Sequence, residues 1–183
     1  MLVDPLLEEV VKGPRGMILG IEACVECECL VSAVTLIFAA IDALAALTRP
    51  TTQPETDGEI FRAWATRYIN PAVRLHCSAQ DLWGARCGVL HTYSPEATRA
   101  AKLGARRVYY EWRQGPPADA VRTLPADAIV LIVENLYEAL VDAANAYMHD
   151  IAADAQLALR VNVHLASLLC YEPYIPLVAE TSM

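Results

Sequence analysis

Between Leu30 and Leu47 the chain reads LVSAVTLIFAAIDALAAL, with Asp42 as its single charge. A run this apolar is either a span of lipid or a helix packed inside a protein. Asp42 lies within it, and Glu22, Glu26 and Glu28 precede it. A carboxylate is costly in hydrocarbon, whereas a buried helix accepts one that has a partner. The run therefore predicts a core helix and no membrane association. Upstream, Ile21, Cys24, Cys27, Val31, Val34, Phe38, Ile41 and Leu44/Ala45 recur at steps of three and four. That spacing predicts one long helix from about Met17 to Leu47.

The remaining segments are mostly helical in pattern. Pro5 to Val11 forms a short helix stopped by Gly13-Pro14, and Thr48 to Gly58 is a polar, proline-punctuated loop. A helix from about Gly58 carries Ile60, Phe61, Trp64, Tyr68 and Ile69 and ends at Asn70-Pro71. Ser78-Ala-Gln-Asp81 resembles a capping box and opens the next helix, through Leu82, Trp83, Cys87 and Leu90. Ser94-Pro95-Glu96 starts a short one reaching about Leu103. Val108 to Trp112 (VYYEW) alone has strand-like composition. From Pro125 the helical pattern returns through Ile129, Ile132/Val133, Leu136/Tyr137, Leu140/Val141, Ala144 and Tyr147/Met148. Asp154 caps a last helix with Leu157, Val161, Leu165 and Leu168 on its stripe, and from Tyr171 the tail is irregular. The expected fold is a single all-α domain over residues 1–183. Its frame is an antiparallel bundle of four long helices plus short helices, with a short β-arm near 107–113.

Composition narrows the class further. Hydrophobic residues make up 55% of the 183, enough for a core and too many for disorder, while 8 glycines and 7% aromatics argue against a turn-dense β-sandwich. Met1 to Val11 carries Asp4, Glu8 and Glu9 where a signal peptide needs basic residues, and the six cysteines do not form a secreted disulfide framework. The expected location is the cytoplasm. Charge is unevenly placed: residues 1–59 carry −7, residues 60–113 carry +6 and residues 114–183 carry −7, giving the net −8. Either the basic block simply neutralises its acidic neighbours, or it holds an anionic ligand.

Within that block, Leu82-Trp-Gly-Ala-Arg86-Cys-Gly-Val-Leu-His91 separates a guanidinium from an imidazole by four residues. Arginine offers a rigid fork of donors that fits a phosphate, and histidine can move a proton near neutral pH. The two are a minimal kit for cleaving RNA without metal: one moves the proton of the ribose 2′-hydroxyl, the other stabilises the charge gathering on phosphorus. On a straight helix, however, five residues turn by about 500°, which leaves Arg86 and His91 roughly 140° apart and about 7.5 Å along the axis. Convergence then needs a distorted helix or two chains at a two-fold axis. A plain alternative is that Arg86 pairs with a carboxylate such as Asp42 while His91 caps the helix end.

The stretch DLWGARCGVLHTYSPE resembles the active-site helix of the HEPN superfamily. Many of its RNases carry an arginine, four to six residues, then a histidine within a helical bundle. IFAAIDALAALTRP, FRAWATRYI and the later YY pair are similar to small bacterial members, so the likeness covers residues 20–113. One position departs from the pattern: Cys87 follows Arg86 where active members commonly have Asn, Asp or His. The resemblance implies a cytoplasmic homodimer with arginines and histidines gathered at its interface, acting as a metal-independent endoribonuclease or RNA-binding domain. In it Arg86 clamps the phosphate, His91 is general base and acid, and Arg99, Lys102, Arg106 and Arg107 contact the strand. The same resemblance admits a non-catalytic module that binds a nucleotide or a partner protein.

Other groups carry weaker readings. Cys24, Cys27 and Cys29 lack the second ligand pair of a zinc site and read as buried thiols, with His76 and Cys77 too remote in sequence to complete one unaided. No metal and no cofactor is expected. Cys87 with His91 one turn away could form a nucleophile pair but lacks an orienting partner. His149 and His164 read as surface or boundary residues. Trp64, Tyr68, Trp83, Tyr109, Tyr110 and Trp112 read as core before base-stacking platforms.

Overall fold

In the computed structural model, residues 4–92, 104–115 and 123–165 are described. Among these the chain is mainly helical, with one small parallel sheet. Helix α1 (Pro5–Lys12) begins at Asp4, whose Oδ1 accepts from the Leu6 backbone N–H at 2.8 Å, and has proline at its first position.

Instead of one helix from Met17 to Leu47 there are two, α2 (Met17–Glu26) and α3 (Leu30–Ala46), packed against each other. The break has a definite cause. The Cys29 N–H donates to the Cys24 carbonyl (2.9 Å) and the Glu28 N–H to the Val25 carbonyl (3.0 Å), while Glu28 adopts φ 53°. This pairing closes a helix end with a left-handed residue, a place usually taken by glycine. Glu28 is held there by Gln114, whose amide donates to its carboxylate at 2.8 Å.

Helix α3 threads the core, with Ala33, Val34, Ile37, Phe38, Ala40, Ile41, Leu44 and Ala45 buried. Its opposite stripe is open: Ser32, Leu36 and Ala39 are exposed, and Asp42 and Ala43 partly so. Asp42 thus continues the open stripe three residues beyond Ala39.

Helix α4 (Gly58–Trp64) runs on as a π-helical turn over Ala65–Ile69, ended by Asn70 at φ 51°. The short α5 (Pro71–Arg74) and then α6 (Ala79–Thr92) follow. Trp64 and Tyr68 meet Tyr147 of a later helix with ring centroids 5.1–5.8 Å apart.

The expected β-arm is strand β1 (Arg107–Glu111), and it has a partner. Residues Ala128–Ile132, read as helix from the sequence, form β2, paired parallel with β1 from Arg107↔Ala128 to Glu111↔Ile132. AIVLI suits either state, and burial of Val108 and Leu131 against the core decides for strand. β2 leads directly into α7 (Val133–Ala153), which buries Leu136, Leu140, Ala144 and Tyr147. Asp154 caps α8 (Ala155–Leu165) as expected, accepting from Gln156 and Leu157 N–H groups at 2.8 and 3.1 Å. The segment from Ser94 to Leu103, the stripe residue Leu168 and the tail from Tyr171 lie outside the described residues. Among the described residues, no helix is long and apolar enough to cross a membrane.

Candidate functional site

Helix α6 is anchored at its start. The Ser78 N–H donates to Asp81 Oδ2 (2.9 Å) and the Asp81 N–H to Ser78 Oγ (3.0 Å), a reciprocal capping box. Arg106 closes over it: its backbone N–H reaches Asp81 Oδ1 at 2.8 Å, and Nη2 reaches Oδ2 at 2.7 Å. Burial alone would raise the Asp81 pKa, but these donors outweigh it and hold the carboxyl at about 2. Beside this pair, burial pushes the Cys77 thiol up to about 12, which leaves it without nucleophilic character near neutrality.

From the middle of the helix, Arg86 reaches across to α3. Its Nε donates to Asp42 Oδ2 at 3.0 Å, and Nη2 contacts the same oxygen. The guanidinium lies over the Trp83 ring at 5.2 Å. That leaves Nη1, which stands 3.4 Å from His91 Nε2. A guanidinium only donates, so the contact fits a neutral imidazole with its proton on Nδ1. At 3.4 Å it is long for a hydrogen bond.

The two expected catalytic groups therefore meet within one chain, on an unbroken helix. The 140° separation describes Cα directions; the arginine stem is long enough to carry Nη1 round the helix surface. The Asp42 pairing of the plain alternative is present as well, so it coexists with the contact between Arg86 and His91. Trp83 is fixed from behind by Phe61, with ring centroids 5.2 Å apart, and by Gly58. A β-carbon at Gly58 would lie 2.7 Å from Trp83 Cε2, so only glycine admits the indole there.

Cys87 is buried, while His91 is exposed, which separates a thiol–imidazole pair from any substrate. Of the expected strand contacts, Arg106 is committed to Asp81 at the far end of α6, so it fastens β1 to that helix. Arg107 is exposed at the start of β1, and Arg99 and Lys102 lie outside the described residues. Cys27 and Cys29 are exposed, contrary to the buried-thiol reading, because they occupy the turn between α2 and α3, and Cys24, on α2, is half-buried. Among the described residues no group of three or more His, Cys, Asp or Glu side chains is placed to hold a metal. His149 is exposed, and His164 is buried, with Nε2 3.1 Å from the Arg49 carbonyl oxygen. Trp64 is buried as expected, and Trp83 is half-buried.

One residue beside the site has no signal in the sequence. Arg62 Nη1 would lie 2.9 Å from the same β-carbon at Gly58, so it shares the space beside Trp83. No protein-family model, curated protein or solved structure matches the chain.

Proposed function

We propose that this chain is a cytoplasmic, HEPN-like, metal-independent endoribonuclease that works as a homodimer, its four long helices forming the bundle typical of that group. What carries the reading is the single contact between Arg86 Nη1 and His91 Nε2, with the guanidinium already oriented by Asp42 and Trp83. A phosphate oxygen entering between them would take the Nη1 donor and free the Nε2 lone pair. His91 then removes the 2′-hydroxyl proton as the 2′-oxygen bonds to phosphorus, and Arg86 stabilises the charge on the non-bridging oxygens. The bond from phosphorus to the 5′-oxygen breaks, and His91 returns the proton to that oxygen. The products are a 2′,3′-cyclic phosphate and a 5′-hydroxyl end.

The open stripe of α3 supports the dimer. It is apolar or small from Ser32 to Ala39 and arrives at Asp42, so a second copy seated on it would close over the Arg86–His91 pair. The second reading, a non-catalytic module for a nucleotide or partner, is favoured by Cys87, which is buried and offers no polar group beside Arg86.

Purified protein incubated with mixed RNA in EDTA tests the proposal. Cleavage giving cyclic phosphate ends, lost in both Arg86→Ala and His91→Ala, is the expected result. Absence of cleavage in the wild-type chain, or its persistence in either variant, overturns it.

A further inference from the structure

The cations of residues 60–113 are not equivalent. Arg67, Arg74, Arg86, Arg106 and Arg113 each pair with a carboxylate. Among the described residues of the block, Arg62 and Arg107 have no such partner. Arg107 is exposed on β1, whereas Arg62 is half-buried beside Trp83, whose ring carries Arg86. Asp57 feels the charge of Arg62 but is used elsewhere. Its Oδ1 accepts from the Glu59 and Ile60 N–H groups at 2.9 and 3.0 Å, and its Oδ2 from Gln53 at 3.1 Å. Asp42, the other carboxylate at this corner, has one oxygen engaged twice by Arg86. Arg86 therefore lies over the Trp83 ring with Asp42 and His91 as its neighbours, and Arg62 shares the space beside the same indole without a paired carboxylate.

A half-buried guanidinium left unpaired is a standing cost unless an anion completes it. We infer that Arg62 is a second phosphate-binding residue, so that the site takes a strand with at least two consecutive phosphates and discriminates against a mononucleotide. This rests on the ribonuclease reading for the class of substrate. Arg86 Nη1 and His91 address the phosphate at the cut. Arg62, across Trp83, addresses the neighbouring one and binds ground state and transition state alike, which places its effect in KM.

The test uses a 2′-O-methyl RNA 12-mer, which lacks the attacking hydroxyl, with fluorescence anisotropy over a salt series, and a nucleoside monophosphate as the single-phosphate probe. Arg62→Gln should weaken the 12-mer roughly tenfold and lower the magnitude of the salt slope by about one, with the monophosphate unaffected. Arg62→Lys should restore most of the affinity, and Arg86→Gln should weaken both probes. Equal binding of the 12-mer by wild type and Arg62→Gln overturns the inference, as does equal weakening of both probes, no rescue by lysine, or no binding by wild type. Cleavage assays separate the two proposals. RNA cut with unchanged KM in Arg62→Gln removes the second phosphate site and leaves the ribonuclease. Arg62-dependent binding by a chain that cuts no RNA removes the ribonuclease and leaves the phosphate site.

Discussion

Two faces of the molecule use the same residue types to opposite ends. Along the π-turn and α5, Arg67 meets Asp150 at 2.6 Å and Arg74 meets Asp142, both carboxylates lying on α7. Each guanidinium there has its own partner and the local charge closes. At the corner of α3, α4 and α6, Arg86 pairs with Asp42 and meets the exposed His91, while Arg62 lies beside Trp83 with no carboxylate paired to it. The difference teaches that the basic character of residues 60–113 is mostly internal neutralisation, and that the proposed ligand site draws on the few guanidinium donors this pairing leaves over.

The largest effect expected from this contrast is on RNA cleavage. Arg86→Ala should slow single-turnover cleavage by about 10³-fold, roughly 4 kcal/mol, because it removes the donor aimed at the phosphorane. Arg74→Ala, equally a loss of one cation from the same block, should change it less than about twofold. Comparable losses in the two variants would mean that bulk charge, and not the corner, supports the activity.

Stability should divide the faces in the same way. Asp42 and Arg86 are 23% and 19% exposed at their side chains, against 58% for Asp142. Asp42→Ala strands a mostly buried guanidinium and should cost about 3 kcal/mol in urea unfolding. Asp142→Ala should cost under about 0.5 kcal/mol, since an exposed pair contributes little. A small loss in Asp42→Ala would show that Arg86 finds another partner and that its orientation does not depend on α3.

How much of this could be read from the sequence depended on whether the deciding contact was local. The capping box of Ser78 and Asp81 and the cap at Asp154 lie within three residues of what they bind, and both were legible. The division of α2 from α3 was not, because the left-handed residue is Glu28 where glycine would have announced the turn. Strand β2 passes for helix in the sequence since AIVLI carries no period that separates the two states, and its pairing with β1 and the burial of Leu131 decide. At the candidate site, the pairing of Arg86 with Asp42 was legible from residue type, as a buried helix carboxylate in need of a cation. The meeting of Arg86 with His91 within one helix was not, because a helical wheel tracks Cα directions and ignores the reach of an arginine. Residue type alone makes Arg106 a candidate strand contact, because nothing local reveals that Asp81, twenty-five residues earlier, claims it. Arg62 stands out only against the carboxylate pairs of Arg67, Arg74, Arg86, Arg106 and Arg113, all of them tertiary contacts.

The fixed end of α6 offers a pH test of its own. The Asp81 carboxyl, at about 2 in the fold against an ordinary 3.8, contributes stability that is complete above the ordinary value and disappears as pH falls through the lower one. Denaturant midpoints measured from pH 6 down to pH 2 should therefore lose about 2 kcal/mol on account of this group, less what the exposed side of Arg106 gives back to solvent. Asp81→Asn should start lower and show a flatter decline over that interval. An unchanged slope would mean that the Arg106–Asp81 pair is not what holds β1 on α6.

The smallest expected effect compares two helical glycines. Gly20, on α2, has no atom within 4 Å of where a β-carbon would stand, so Gly20→Ala should stabilise by about 0.5–1 kcal/mol through reduced freedom of the unfolded chain. Gly58→Ala gains the same propensity term but places its methyl 2.7 Å from the Trp83 indole and 2.9 Å from Arg62 Nη1. The indole is backed by Phe61 and cannot retreat far, so the variant should lose about 1 kcal/mol net. Its more telling readout is binding of the uncleavable RNA, because the methyl displaces Arg62 and tilts the ring that supports Arg86 without deleting either charge. Weaker binding with a nearly unchanged fold would show that placement at this corner matters beyond its surplus of charge. Unchanged binding would reduce the corner to an electrostatic patch, no different in kind from the face carrying Arg67 and Arg74.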